Sequence, residues 1–226
     1  MSKNIKLLNP KEHSFYRYTP AKDFYYAKNM NLIPITFSEI KYLCCEYPIV
    51  IIIKDEKPAL MLLTGLEKNG AIDDKGIWKG TYIPSFLKRY PFTLVQTGED
   101  ESLHIGFDLE SGLFSSPEGY PLFNQDGTPA EILENVKTLL TVFQNEHQLT
   151  ENILLKMHEK ELLQPTHFTL KKEGEEEQKI GGFFMVDKAK LFEQENDFLG
   201  EAVKNGWMEM IELHLFSLSN VSNIIR

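Results

Sequence analysis

The stretch IVIIIKDEKPALMLL, residues 49–63, decides the fold class. It contains two apolar runs, 49–54 and 59–64, of the length and composition that favour buried β-strands. The polar segment 55–58 between them has the length of a hairpin turn. Both runs are far shorter than the roughly 20 apolar residues that a membrane-spanning helix needs. We therefore expect an antiparallel strand pair rather than a membrane segment.

Two further strand pairs are predicted, one near the middle of the chain and one in its last third. Runs 92–96 and 103–109 flank a polar turn, and apolar and polar residues alternate along the second run. Runs 167–171 and 180–186 flank an acidic tip and form a third pair. The segment 207–217 alternates imperfectly and is interpreted as one more strand. These patterns predict a mostly antiparallel sheet.

Helix signals occur in the middle and in the second half of the chain. A short helix is predicted over 84–90, because Pro84 suits a first turn and Tyr90 precedes a proline. Thr128-Pro-Ala-Glu131 has the pattern of a capping box and predicts a long helix to about His147. Thr150 is predicted to cap a second helix that ends near Leu163. We expect an α+β protein with a helical hairpin, 129–163, packed on the sheet.

The length of 226 residues suits one large domain, since single cores stop growing near roughly 250 to 300 residues. We expect one domain, 1–226. The loop 111–128 is rich in Ser, Gly and Pro, and it is the place where a subdivision is expected.

Charge limits the partners that this chain can bind. Acidic residues exceed basic ones and give a net charge of −9, so the average field repels nucleic acid and anionic membranes. The densest basic pairs, 88–89 and 171–172, are too short to override that field. We therefore expect a protein partner, no nucleic acid and no integral membrane segment.

Two features indicate the cytoplasm. Cys44 and Cys45 are neighbours, and a bond between neighbours needs strained geometry, so reduced thiols are expected. The first residues lack the apolar run of a secretory signal. Export by a route without a signal remains an alternative.

No motif in the sequence specifies a reaction. The chain has no nucleophile elbow, no phosphate-binding glycine loop and no paired histidine spacing, so we expect no cofactor and no metal. His158 and His214 lie beside apolar residues and are expected to be partly buried, hydrogen-bonded side chains.

Aromatic and arginine side chains are dense between residues 78 and 92. Such side chains contribute much of the binding energy at protein interfaces, and they suit a packed corner of a core equally well. Tyr120, in the loop 111–127, is added to the set of candidate binding residues. The candidates are Trp78, Tyr82, Arg89, Tyr90, Phe92 and Tyr120.

The same stretch carries a resemblance to a known family. Asp73-Asp-Lys-Gly-Ile-Trp78, Tyr82-Ile-Pro84 and Arg89-Tyr-Pro-Phe92 are similar, in order and spacing, to the central signature of the bacterial SapC family. Further matching segments lie between about residues 8 and 218. Gly70-Ala71 departs from the bulkier residues that are usual at that place.

The resemblance implies an association with bacterial surface-layer biology and supplies no catalytic residues. Our leading hypothesis is a non-enzymatic accessory protein that binds a protein partner through the 78–92 region and the 111–127 loop. The alternative is an enzyme or small-ligand protein acting on a peptide or amino-acid-like substrate. A third class, an assembled surface-layer subunit, requires self-association at the cell exterior.

Overall fold

The computed structural model describes residues 4–97, 102–114, 117–170 and 177–225, and these residues divide into two compact units. The first unit consists of Met1–Asp23 and Ser85–Asn145, and the second of Phe24–Pro84 and Glu146–Arg226. The loop 111–128 lies within the first unit. Folding of the chain as one domain stays a prediction.

Strand pairs and helices are interspersed along the chain. The strands are β1 Ile5–Leu7, β2 Arg17–Tyr18, β3 Leu32–Pro34, β4 Ile49–Lys54, β5 Lys57–Leu63, β6 Phe92–Thr97, β7 Ser102–Asp108, β8 Tyr120–Pro121, β9 Leu163–Leu170 and β10 Gln178–Val186. The α-helices are α1 Pro10–His13, α2 Ile40–Leu43, α3 Ser85–Lys88, α4 Glu131–Glu159, α5 Lys188–Phe192, α6 Asn196–Lys204 and α7 Trp207–Ser217. Short 3-10 helices are Tyr25–Ala27, Phe37–Glu39, Leu109–Ser111 and Leu218–Ile225.

All strand pairs between the described residues are antiparallel, which confirms the predicted α+β class. The second unit contains a five-stranded sheet of order β3-β5-β4-β10-β9. Its β4–β5 hairpin is the predicted one, with a tighter turn, because Lys54 already pairs with Lys57. Asp55 and Glu56 form this turn, and both have positive φ, 51° and 61°. Primed turns of this kind match the twist of the paired strands.

Apolar side chains of this sheet form the core of the second unit. The first three residues of the apolar run that predicted β4, Ile49, Val50 and Ile51, are completely buried or nearly so. One cluster consists of Val50, Met61, Leu63, Phe168, Leu170, Phe183 and Ile224.

The prediction of a strand over 207–217 is wrong, because these residues form helix α7. The segment is apolar on nearly every side, so it shows neither a clear period of two nor one of 3.6. Its Met, Glu and Leu residues have high helix propensity. Ser217 anchors the helix to the sheet, since its hydroxyl accepts a hydrogen bond of 3.0 Å from the Ile49 N–H.

The first unit contains a three-stranded sheet of order β1-β7-β6 and the short pair β2–β8. The β6–β7 hairpin is confirmed. Residues 98–101, between its two strands, lie outside the described residues. The first half of α4 packs on this sheet. The core cluster consists of Tyr18, Phe92, Phe107, Phe114, Leu122, Phe123, Leu133, Val136 and Leu140.

The predicted helical hairpin is wrong, because α4 continues without a break from Glu131 to Glu159. Thr150, the expected cap, lies inside this helix. Its hydroxyl donates to the Glu146 carbonyl at 2.7 Å and accepts from the Phe37 N–H at 2.9 Å. A threonine whose hydroxyl binds the preceding turn does not interrupt a helix, and neither glycine nor proline occurs between His147 and Thr150.

The helix starts also differ in detail from the sequence patterns. The Thr128 hydroxyl donates to Asp126 at 2.6 Å instead of capping α4. A capping box does form at Thr36 and Glu39, at the start of the 3-10 helix that precedes α2. The short helix predicted over 84–90 is confirmed as α3.

We expect Thr150→Val to lower the free energy of unfolding by about 1–3 kcal/mol, because it leaves the buried Phe37 N–H without an acceptor. Urea denaturation measures this change. Thr138→Val is the matched control, since the Thr138 hydroxyl bonds the Glu134 carbonyl on the exposed face of the same helix. Equal effects of the two substitutions would contradict the role given to Thr150.

Candidate functional site

A buried carboxylate organises the candidate site of the second unit. The Glu39 side chain is only 3% exposed, so its oxygens need hydrogen-bond donors within the protein. Thr36 donates to Oε2 from its N–H at 2.9 Å and from its hydroxyl at 3.1 Å. The Tyr82 hydroxyl donates to Oε1 at 3.0 Å. Glu39 therefore fixes the position of Tyr82.

Tyr82 supports a second tyrosine on the surface. The rings of Tyr42 and Tyr82 stack with centroids 4.8 Å apart and planes 13° apart. Tyr42 is 51% exposed, and the Lys41 Nζ lies 5.0 Å from its ring centroid. We call Tyr42, Tyr82 and the neighbouring Tyr47 and Trp78 the aromatic corner. The outer surface of the aromatic corner is the ring of Tyr42, oriented by its stack on Tyr82.

Trp78 shapes the aromatic corner from below. It is 6% exposed, and its Nε1 donates to the Tyr82 carbonyl at 2.9 Å. The Tyr47 ring lies 5.8 Å from the Trp78 ring. Between these side chains only glycine fits at position 80, where a Cβ would lie 2.8 Å from the Trp78 Nε1 and 2.9 Å from the Tyr47 hydroxyl. Trp78 therefore positions Tyr82 and is not itself a contact surface.

Glu46 connects the loop after Trp78 to the turn that follows helix α2. Its carboxylate accepts from the Thr81 N–H at 3.2 Å and from the Thr81 hydroxyl. Burial, together with the nearby Glu46 charge, raises the pKa of Tyr47 to about 12. The Tyr47 phenol therefore stays protonated at neutral pH and does not serve as a base.

Asp73, in the family-like signature, organises its own loop. Its Oδ1 accepts from the Lys75 and Ile77 N–H groups, both at 2.8 Å, and these bonds hold the pKa of Asp73 below its usual range. The Lys28 Nζ donates to the Ile72 and Asp73 carbonyls. Residues 4–97, 102–114, 117–170 and 177–225 contain no group of three side chains suited to a metal ion.

The candidates in the first unit surround β6. The Arg89 guanidinium carbon lies 4.6 Å from the ring centroid of Phe86 and 5.2 Å from that of Phe143, and the guanidinium donates to the Thr93 hydroxyl at 2.7 Å. These cation–π contacts engage the cation within the unit. Arg89 is half-buried as a result.

Tyr90 and Phe92 also have partners within this unit. The Tyr90 hydroxyl donates to the Asp108 Oδ2 at 3.0 Å, and burial together with this carboxylate raises the pKa of Tyr90 to about 12. Phe92 is 3% exposed and belongs to the core, whereas Tyr120, on β8, is 58% exposed.

The structure thus brings Trp78 and Tyr82 together in the second unit and Arg89, Tyr90 and Phe92 together in the first. Two of the six candidates, Trp78 and Phe92, are buried, as the packed-corner interpretation expects. Tyr82 and Tyr120 are the candidates that reach or support an exposed aromatic surface.

Comparison with known proteins gives the family. The family model described as SapC matches residues 8–224. This chain belongs to the SapC family. No curated protein and no solved structure matches it. Among the described residues of this SapC family member, no helix combines the length and the apolar character needed to cross a membrane.

Sequence reasoning missed Tyr42, which carries most of the exposed aromatic surface of the corner. The available signal was its position in α2, because Tyr42 falls outside the apolar face formed by Ile40, Leu43 and Cys44. An exposed aromatic on the polar face of a helix has no packing role of its own. Its contact with Tyr82 depends on a segment 40 residues further along the chain, so no local pattern could show it.

Two histidines of this SapC protein are structural, as expected. The His158 Nε2 lies 3.4 Å from a Glu56 carboxylate oxygen and is partly buried. His214 is buried in α7, and its Nε2 accepts from the Val186 N–H at 3.4 Å. Burial lowers the pKa of His214 to about 4, because a protonated ring would lose its hydration. The neutral ring therefore persists well below neutral pH.

His214 predicts a loss of stability in acid. Below about pH 6.5 the unfolded chain protonates this histidine, whereas the folded protein does so only near pH 4. The contribution to stability is therefore complete above pH 6.5 and falls by about 3 kcal/mol as the pH drops to 4. Urea denaturation at several pH values measures the change.

His214→Gln and His214→Leu remove the ionisable ring, so the free energy of unfolding should fall less steeply with pH than in the wild type. His167→Gln, at an exposed histidine, is the control, and its free energy of unfolding should depend on pH as in the wild type. A wild-type slope in both His214 variants would disprove the assignment.

Proposed function

We propose that this SapC family member is a non-enzymatic accessory protein that binds a protein partner through its aromatic corner. One observation carries the proposal. Tyr42 presents half of its surface to solvent while stacked at 4.8 Å on Tyr82, which is itself bonded to the buried Glu39.

A tyrosine held in this way suits protein recognition. Tyrosine is enriched among the residues that contribute most binding energy, because it offers a large apolar face and a polar hydroxyl. The stack and the Glu39 bond already restrict both rings, so less conformational entropy is lost when a partner binds. The neighbouring Lys41 adds a cation at the rim, which favours a partner with acidic or carbonyl groups around an apolar centre.

The first unit contributes a second contact in this proposal. Tyr120 is the most exposed of the candidate residues and lies in the 111–127 loop. Arg89 and Tyr90 support this unit through their bonds to Thr93 and Asp108. Their loss would weaken the unit as well as any partner complex, so they are poorer probes of binding than Tyr120.

We further propose a cytoplasmic location and a link to surface-protein biology. The link follows from the family resemblance. The location is supported by the thiols of Cys44 and Cys45, which are both free and lie 3.9 Å apart. A reducing compartment preserves such thiols.

Tyr42→Ala tests the aromatic corner. Affinity purification of the tagged chain from its native cell should yield a stable complex with the wild type. The variant should recover about tenfold less partner, because a central aromatic contact commonly contributes about 1.4 kcal/mol or more. Phe192→Ala is the matched control, since Phe192 is an exposed aromatic of the same unit, and it should retain the complex. Undiminished recovery with Tyr42→Ala, in a variant of wild-type thermal stability, would refute the proposal.

Cell fractionation tests the location. The wild-type protein should appear in the cytosolic fraction, as should the partner recovered with it. Ordered self-assembly at the cell exterior would instead identify a surface-layer subunit and overturn the accessory role.

A further inference from the structure

A groove in the second unit is separate from the aromatic corner. Its volume is about 860 Å³, and it lies between the second half of α4 and the junction of α6 with α7. From Glu146 to Glu159 the α4 wall is about 20 Å long, given a rise of 1.5 Å per residue. Phe37 and Ser38 line the groove from the segment before α2.

The floor of the groove is apolar and partly uncovered. Buried Ile153 and Trp207 form its base, and Leu149, Leu155 and Met210 stand above them. Leu149 is 51% exposed, and Leu155 on the same wall is 36% exposed. Contiguous apolar surface of this kind marks interaction sites on soluble proteins.

Carboxylates dominate the walls. The ionisable side chains that line the groove are four carboxylates and one ammonium, so their net charge is −3 at neutral pH. The single cation, Lys156, is already engaged, since its Nζ lies 2.6 Å from Glu201 and 5.1 Å from the Trp207 ring centroid. The other three carboxylates of the lining are those of Glu146, Glu159 and Glu209.

We propose that this groove binds a basic amphipathic helix of a partner protein. An apolar floor between two helical walls accepts the apolar stripe of a third helix, which is a common mode of peptide recognition. The carboxylates of the walls complement Lys or Arg beside that stripe and repel acidic segments. The wall length corresponds to a helix of about 14 residues, or nearly four turns.

The same charges argue against other occupants. A second copy of this chain carries a net charge of −9 and would bring like charges together at the groove. Anionic membranes and nucleic acid are repelled for the same reason. Asn152 and Asn205 supply polar contacts at the rim, which suits the polar flank of a helix.

Two synthetic peptides test the proposal with the full-length protein. Both are about 14 residues long and have leucines at helical spacings of three and four, and one carries lysines at the flanking positions where the other carries glutamates. Fluorescence anisotropy of the labelled peptides measures their affinity. We expect at least about tenfold tighter binding of the lysine peptide, with an affinity that decreases as salt is added.

Substitutions in the groove locate the binding. Leu149→Ser should weaken binding of the lysine peptide by about fivefold or more, whereas Val142→Ser, at an exposed apolar position of α4 outside the groove, should leave it unchanged. Glu209→Lys should weaken it by a similar factor. Glu193→Lys makes the same change in net charge away from the groove and serves as its control.

The double variant Glu146→Lys and Glu209→Lys is the decisive test, because it should reverse the preference and bind the glutamate peptide more tightly. Equal affinity for both peptides, or binding unaffected by Leu149→Ser, overturns the proposal. Self-association that Leu149→Ser abolishes, or binding to phosphatidylserine vesicles, would assign the groove to another occupant and also overturn it. Tyr42 does not line the groove, so a failure here leaves the aromatic corner untouched.

Discussion

Everything proposed for the aromatic corner depends on one constraint, the need of the buried Glu39 carboxylate for hydrogen-bond donors. A carboxyl group removed from water without donors is costly, and here both oxygens are served by Thr36 and Tyr82. The first of these donors, Thr36, caps the 3-10 turn that leads into α2, the helix of Tyr42. The second, Tyr82, lies 43 residues after Glu39. One side chain therefore holds two distant segments in register and sets the orientation of the stacked rings.

The surrounding residues make this arrangement tight rather than adaptable. Trp78 bonds the Tyr82 carbonyl, Gly80 leaves no room for a side chain, and Glu46 holds the backbone at Thr81. The signature that resembles the SapC family thus consists mainly of residues that shape a loop. Its buried tryptophan is structural, and the proposed recognition surface is centred on Tyr42, whose ring stacks on Tyr82 of that loop.

Local patterns predicted the strands of β4 and β5 and the class of the fold, because an apolar run bounded by turn residues has few alternatives in a folded chain. Local patterns gave wrong predictions where contacts between distant segments determine the structure. Thr150 is of a residue type that often caps helices. Its hydroxyl instead accepts a hydrogen bond from the Phe37 N–H, and α4 continues past it. The α7 segment, 207–217, is apolar on nearly every side, so its hydropathy showed no clear period. The groove combines residues of α4 with residues about 50 positions later, and no sequence pattern joins them.

The two proposed surfaces would favour a complex in different ways. The rings of the aromatic corner are already held by their stack and by the bond from Tyr82 to Glu39, so a partner's contact would cost little conformational entropy. The groove is apolar at its floor, so its contribution comes from burying side chains such as Leu149. An exposed apolar floor could promote self-association, but on an acidic protein the like charges repel other copies of the chain. The same carboxylates attract a basic segment, which gains both the burial and the charge pairing. In the proposed complex, the exposed Leu149 and the glutamates of the walls would therefore select a basic apolar segment together.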